Sequence, residues 1–198
     1  MNILVIVAHP NMRQSRVNKR WVAELRRYSD QLTVRELYAV YLEKTFNIER
    51  EQAQVVEHDR LVLQFPLKWY STPPLLKQWL DEVFTTAWLF GPGGRMLAGK
   101  ELLLAISIGG AEHSYQAGGL IGYTISELTR PLQVFANQIG MTMLPSFKLY
   151  GAVQASDEQI ESSAKQYVQH IINPELNPQI ARQRMLDEMK KRRQTANL

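Results

Sequence analysis

The chain has 198 residues, 45% of them hydrophobic and 21% charged, which suits one folded domain with its own core and excludes disordered, collagen-like and mucin-like polymers. It contains no cysteine, so thiolate nucleophiles, thiol redox couples, iron–sulfur ligation and cysteine-based zinc sites are excluded, and any redox chemistry needs an outside cofactor. The net charge of +4 favours anionic ligands, but no zinc-finger spacing or RNA-recognition signature accompanies it, so no nucleic-acid partner is expected.

Asn2 to Val7 (NILVIV) is an apolar run rich in β-branched residues, the pattern of a central strand buried on both faces of a parallel sheet. Met1 to Val7 lacks the basic start of a signal peptide, and no apolar run approaches the roughly 20 residues that span a bilayer, so a soluble, cytoplasmic protein is expected. Val17, Trp21, Leu25 and Tyr28 recur at helical spacing and mark the first helix. Gln31 to Leu37 alternates as a half-buried strand, Glu49 to Asp59 is a polar helix, and Arg60 to Phe65 is a third strand ended by Pro66.

Thr72-Pro73-Pro74 is a capped start to a helix carrying Leu76, Trp79, Leu80 and Val83, because proline is tolerated in the first turn where its missing N–H is not needed. Gly91-Pro92-Gly93-Gly94 enforces a loop, Glu101 to Ser107 is a fourth strand stopped by Gly109-Gly110, and Ile125, Leu128, Leu132, Phe135 and Ile139 mark one helix. Met141 to Tyr150 reads as a fifth strand whose Pro145 places it at a sheet edge. Ile160, Ala164, Val168 and Ile171 mark the last core helix, and Asn177 to Arg193 an appended helical tail, whose Lys190-Lys191-Arg192-Arg193 run reads as a solvated helix end.

The alternation of strand and helix, with no repeat or linker, predicts a doubly wound α/β fold. Right-handed crossovers and a buried first strand favour the flavodoxin-like five-stranded parallel sheet, order 2-1-3-4-5, with helices on both faces. Residues 1–175 are expected to form this domain and residues 176–198 the tail.

In such sheets ligands bind beyond the carboxyl ends of the strands where strand order reverses, which singles out three loops. Ala8 to Asn18 contains no acidic residue; it is either a Ser15-capped helix start with a solvated basic surface from Arg13 and Arg16, or a phosphate site. No G-x-G-x-x-G and no Walker motif is present, which disfavours a Rossmann dinucleotide and a P-loop nucleotide. Pro66 to Ser71 places Trp69 and Tyr70 directly after a strand end, either as core aromatics or as flat walls for a planar ligand. Ser107-Ile108-Gly109-Gly110 is either a tight turn or a place where the backbone approaches a ligand closely. Convergence of the three loops favours the ligand reading.

These same residues carry a family resemblance. The H-P-x-x-x-x-S-x-x-N start (His9, Pro10, Ser15, Asn18), the F-P-L-K-W-Y block (Phe65 to Tyr70) and the S-I-G-G block (Ser107 to Gly110) resemble the NAD(P)H:quinone oxidoreductase family. The resemblance extends from residue 2 to about 172 and is nearest the small bacterial members, which include ancillary subunits of glutathione-gated potassium efflux systems. It implies a bound FMN, with FAD less favoured because FAD-binding relatives are larger, and two-electron ping-pong hydride transfer from NAD(P)H to a quinone-like acceptor.

It further implies that the flavin phosphate contacts His9, Ser15, Arg16, Val17 and Asn18, and that the ring lies against Pro66, Leu67, Lys68, Trp69 and Tyr70 on one side and Ser107, Ile108, Gly109 and Gly110 on the other. Gly109, Gly110 and the Tyr115 hydroxyl are the candidates for stabilising negative charge at the flavin edge. Larger family members pair that tyrosine with a histidine six residues later, where this chain has Ile121; His113 either substitutes from within the same loop or is an exposed, uncommitted loop histidine, and His58 and His170 are read as exposed on helical surfaces. The family is usually dimeric, which makes Trp88 and Phe90 pocket walls contributed across an interface.

Three rival readings stand beside this one. A regulatory subunit would report redox state to a membrane transporter at the inner face of the membrane, docking through the basic tail. A one-electron carrier is disfavoured by the basic charge, and a hydrolase by the absence of a G-x-S-x-G elbow.

Overall fold

The computed structural model describes residues 1–41, 45–91 and 94–196. Pro92 and Gly93 of the predicted loop lie outside the described residues, as do the side chains of Lys191 and Arg193 in the basic run. The elements are β1 (Ile3–Val7), α1 (Val17–Leu25), β2 (Leu32–Glu36), α2 (Leu37–Val40), α3 (Ile48–Glu57), β3 (Arg60–Pro66), α4 (Pro74–Val83) and α5 (Thr86–Phe90). They continue as β4 (Glu101–Ser107), α6 (Ile125–Leu128), α7 (Arg130–Gln138), β5 (Thr142–Met143), β6 (Phe147–Leu149), α8 (Asp157–Ile172) and α9 (Pro178–Ala196).

The sheet is parallel throughout, in the order β2-β1-β3-β4-β5, with β6 also on β4. It is the expected doubly wound fold with one amendment: the fifth lane is two short strands rather than one. Pro145 supplies no N–H to the ladder, so the chain leaves β4 after Met143 and rejoins it at Phe147, opposite Ala105.

Alternation along the strands divides the core. Ile3, Val5, Val7 and Val62 face α1 and α8, where Trp21 donates from Nε1 to Ser163 Oγ at 2.9 Å. Leu4, Ile6, Leu61, Leu63 and Phe65 face α3, α4 and α7. The helix expected over Ile125 to Ile139 is broken in two, since Pro131 sits in the first turn of α7 and cannot continue α6. Thr72 does not cap α4, whose cap position is Pro73 and whose first residue is Pro74. The short helix α5, capped by Thr85, was not anticipated.

Two histidines depart from expectation. His58 is buried, its ring nitrogens paired with Gln54 O at 2.6 Å and Thr33 Oγ1 at 2.8 Å, and His170 Nε2 is 2.8 Å from Pro145 O. His58 caps the end of α3 and His170 lies in the last turn of α8, and in each case a backbone carbonyl comes within reach of the ring. His113 is exposed, as expected. Among the described residues no helix is long and apolar enough to cross a membrane.

Arg20 clamps α1 to α8: its guanidinium donates to Glu161 at 2.5 and 2.8 Å and to Glu24 at 2.6 Å. These donations lower the Glu24 carboxyl and hold that of Glu161 at about 2, against an ordinary value of 4.5. Because both values fall on folding, the stabilisation is complete above pH 4.5 and is lost as pH drops toward 2. Arg20→Met is therefore expected to flatten the acid limb of stability over that interval in urea unfolding at stepped pH. An unaltered slope would show that the clamp contributes nothing.

Candidate functional site

The carboxyl ends of β1, β3 and β4 meet at a cavity of about 380 Å³. The first loop supplies His9, Gln14, Ser15, Arg16, Val17 and Asn18 to its wall; the second supplies Pro66, Leu67 and Lys68; the third supplies Ser107 and Gly109. Ala152 and Val153, from the loop after β6, close the remaining side. Among the described residues no carboxylate lies in this wall.

Each part follows from local structure. The Ser15 hydroxyl accepts from the Asn18 N–H at 3.1 Å, so Ser15 caps α1 in effect, and the other first-turn N–H groups have no carbonyl partners in the helix. Exposed N–H groups and the helix dipole make this end favourable for an anion. Arg16 is ion-paired with Asp157 at 2.6 Å, which divides its charge, whereas Arg13 faces a separate cleft beside β2. Burial and the Lys68 ammonium lower the His9 imidazole below 6.5, and its Nδ1 accepts from the Asn11 N–H at 3.1 Å, so the ring is neutral at pH 7.

Trp69 and Tyr70 are not core residues. Lys68 and Ser71 exchange backbone hydrogen bonds at 2.9 Å in both directions, closing a two-residue hairpin in which Trp69 and Tyr70 have φ of 46° and 64°. Bulky side chains in that region are strained at about 1–3 kcal/mol each, a cost that clusters at ligand sites. The turn leaves Trp69 91% exposed at the rim.

The third loop splits in its behaviour. A Cβ at Gly109 would meet only Val153 Cγ2, at an ordinary 3.5 Å, so the protein's own packing does not require glycine there. A Cβ at Gly110 would lie 3.0 Å from the Tyr115 ring, which rests on that backbone and stands 5.9 Å from the Tyr150 ring. Burial, then the neighbouring Tyr70, raises the Tyr115 hydroxyl above 10, so it stays a proton donor at neutral pH. Ile108 does not reach the cavity: it prolongs the alternation of β4 into the core, and its N–H and C=O are tied to Leu149 and Ala152 at 2.8 and 2.9 Å.

Asn18 is only 2% exposed, and its side-chain amide turns inward, donating to Ser107 Oγ at 2.8 Å. Gln14, Ala152 and Val153 were missed from the sequence. The signal for the last two is Gly151, two residues beyond the end of β6, whose φ of 64° turns the chain toward the cavity. A second groove, of about 450 Å³, lies between α4 and α7 and shares Leu67 with the cavity. It is larger and more apolar, but its charged residues, Lys77 and Asp81, are paired with each other at 2.5 Å, so the donors for an anionic ligand are in the smaller cavity.

Residues 1–171 match the flavodoxin-like fold family. An uncharacterized NAD(P)H oxidoreductase of Bacillus subtilis, YdeQ, is 53% identical over 189 residues, covering 96% of this chain and 95% of that protein. General stress protein 14 of Treponema denticola, solved in complex with FMN, is 40% identical with a TM-score of 0.81, covering 85% of this chain and 96% of that one. An NADPH-quinone reductase from P. pentosaceus is 36% identical with a TM-score of 0.75, covering 84% and 97%.

Proposed function

Because the chain belongs to the flavodoxin-like fold family, whose members of known structure include an FMN complex, we propose that it is an FMN-dependent NAD(P)H:quinone oxidoreductase working by two-electron ping-pong transfer. The observation that carries this reading is the cavity at the switch point, lined by no carboxylate among the described residues and including a helix N-terminus and the Gly109 backbone in its wall. Gly109 fits a ligand laid against its backbone, since among the described residues only Val153 Cγ2, at 3.5 Å, comes near the place of its Cβ.

FMN, when bound, supplies the hydride chemistry that no side chain of this cysteine-free protein offers. His9, Ser15, Arg16 and Val17 would hold the phosphate, and Asn18 would support them, its backbone N–H donating to the Ser15 hydroxyl and its amide facing inward to Ser107. Pro66 to Lys68 and the Trp69-Tyr70 hairpin form one wall for the ring, and Ser107, Gly109 and Gly110 the other, with Ile108 bracing the loop from behind. The Tyr115 phenol donates a hydrogen bond where negative charge grows.

Residues 1–175 form the catalytic unit and residues 176–198 an appended tail. A second copy of the chain completes the pocket: Phe90 is 63% exposed on the rim of the apolar groove that shares Leu67, which supports a homodimer with Trp88 and Phe90 as walls. A regulatory role at a membrane transporter is favoured by one observation, that α9 is basic and exposed along its described side chains and leaves the body at Asn177, which donates to Glu101.

The decisive experiment reconstitutes the purified chain with FMN and follows its visible band anaerobically. The band is expected to persist through gel filtration, bleach with NADPH or NADH, and return on adding a quinone. A chain that retains no FMN, or whose band neither nicotinamide bleaches, sinks the proposal.

A further inference from the structure

The roles assigned above leave Gln64 without a purpose. It is fully buried on β3, in a cross-strand row between Val7 of β1 and Ala105 of β4, beneath the first turn of α1. The Gln64 Oε1 accepts from no described residue, and a buried acceptor without a partner is destabilising.

Its other amide atom is engaged twice. Gln64 Nε2 donates to the Asn18 backbone carbonyl at 3.3 Å and to Asn18 Oδ1 at 3.2 Å. A carbonyl can only accept, so this end of Gln64 has to be its NH₂ group. The Asn18 atom facing it is therefore the oxygen, which turns Asn18 Nδ2 toward Ser107 Oγ, 2.8 Å away. The Ser107 oxygen thus accepts, its proton is donated to no described residue, and Ser107 lies in the wall of the cofactor cavity.

We propose that Gln64 is a positioning residue: it sets the direction of the hydrogen-bond chain through Asn18, so that the Ser107 hydroxyl is presented to the bound flavin nucleotide as a donor. This inference rests on the flavin reading above. Were the Asn18 amide turned over, Oδ1 would face Ser107 and take the proton that the ligand's acceptor atoms need. Gln64 prevents that turn, because its NH₂ group would then meet another NH₂ group. Stability lost to the orphaned Oε1 is the cost of a defined direction.

The test measures FMN dissociation constants by flavin fluorescence, with melting temperatures, for the wild-type chain, Gln64→Met, Ser107→Ala and the double variant. Gln64→Met is expected to weaken FMN binding about tenfold while the melting temperature moves little, because the orphaned Oε1 goes but Asn18 Oδ1 loses its donor. Ser107→Ala should lose as much, and the double variant no more than Ser107→Ala alone, because both changes remove one interaction. Asn18→Ala cuts the same chain one link nearer the serine and must reproduce the loss, which keeps the test alive if Gln64→Met fails to fold.

Wild-type-like binding by Gln64→Met or Asn18→Ala overturns the inference, as do additive losses in the double variant, which would mark Gln64 as merely structural. If the wild-type chain takes up FMN and the variants match it, only this inference falls. If the wild-type chain takes up none, the functional reading falls and this one with it.

Discussion

Trp79→Ala is expected to lower the unfolding free energy by about 5 kcal/mol, the upper end of the range for removing a buried aromatic. Trp79 is fully buried on α4, edge-on to Phe84 at 5.4 Å, and its Nε1 donates to Glu51 Oε2 at 2.9 Å. Glu51 is itself fully buried, with Arg35 and the Tyr41 hydroxyl both engaging its other oxygen, Oε1. Truncating Trp79 therefore opens a cavity and also strips Oε2 of its described donor, two penalties with different origins.

Trp79→Phe largely separates the two: it keeps most of the volume, removes the N–H, and should cost about 1–3 kcal/mol. The check is the urea midpoint, read with an unchanged denaturant slope so that the difference is one of stability. A shift below about 1 kcal/mol for Trp79→Ala would mean that the core closes over the gap and that Glu51 finds another donor. The consequence reaches function, because α4 anchors the far end of the segment that carries the Trp69-Tyr70 hairpin.

The second large effect concerns turnover. Tyr115→Phe is expected to lower kcat/KM for quinone reduction about 100-fold while leaving FMN bound, the scale for losing one donor to developing negative charge. Burial keeps the Tyr115 phenol protonated well past neutrality, so the loss should be uniform from pH 6 to 8 rather than titrating. Gly110→Ala reaches the same group by another route. Its new Cβ would sit 3.0 Å from Cε2 and 3.3 Å from Oη of Tyr115, so the ring must move and its donor with it. A misplacement of this order is expected to cost about tenfold or more.

If both changes act through the one hydroxyl, Gly110→Ala adds little in the Tyr115→Phe background. Steady-state kinetics on the four proteins decides the matter. Tyr115→Phe turnover within about twofold of wild type would remove this tyrosine from the chemistry.

Much of the architecture was legible in the residue pattern, for a reason peculiar to parallel sheets. A strand covered on both faces must be apolar at every position, so β1, β3 and β4 announce themselves as unbroken runs, and the loops at their ends are located with them. The fifth lane was harder to read because β5 and β6 are two and three residues long, too short to show a period. The break between α6 and α7 was hidden because Ile125 through Ile139 keeps helical spacing across it, as residues from both short helices pack on one core.

The sequence by itself determined the layers, the order of the strands and which strand ends carry the unusual residues, because those follow from burial patterns that act along the chain. Only the tertiary structure decided which atoms look into the cavity. Trp69 turns outward through a strained hairpin, and Ile108 turns inward to the core. Asn18 is aimed by Gln64, 46 positions away, at Ser107, 89 positions away. Those choices rest on hydrogen bonds between residues remote in the chain, whose meeting depends on the packed sheet and leaves no mark on local composition.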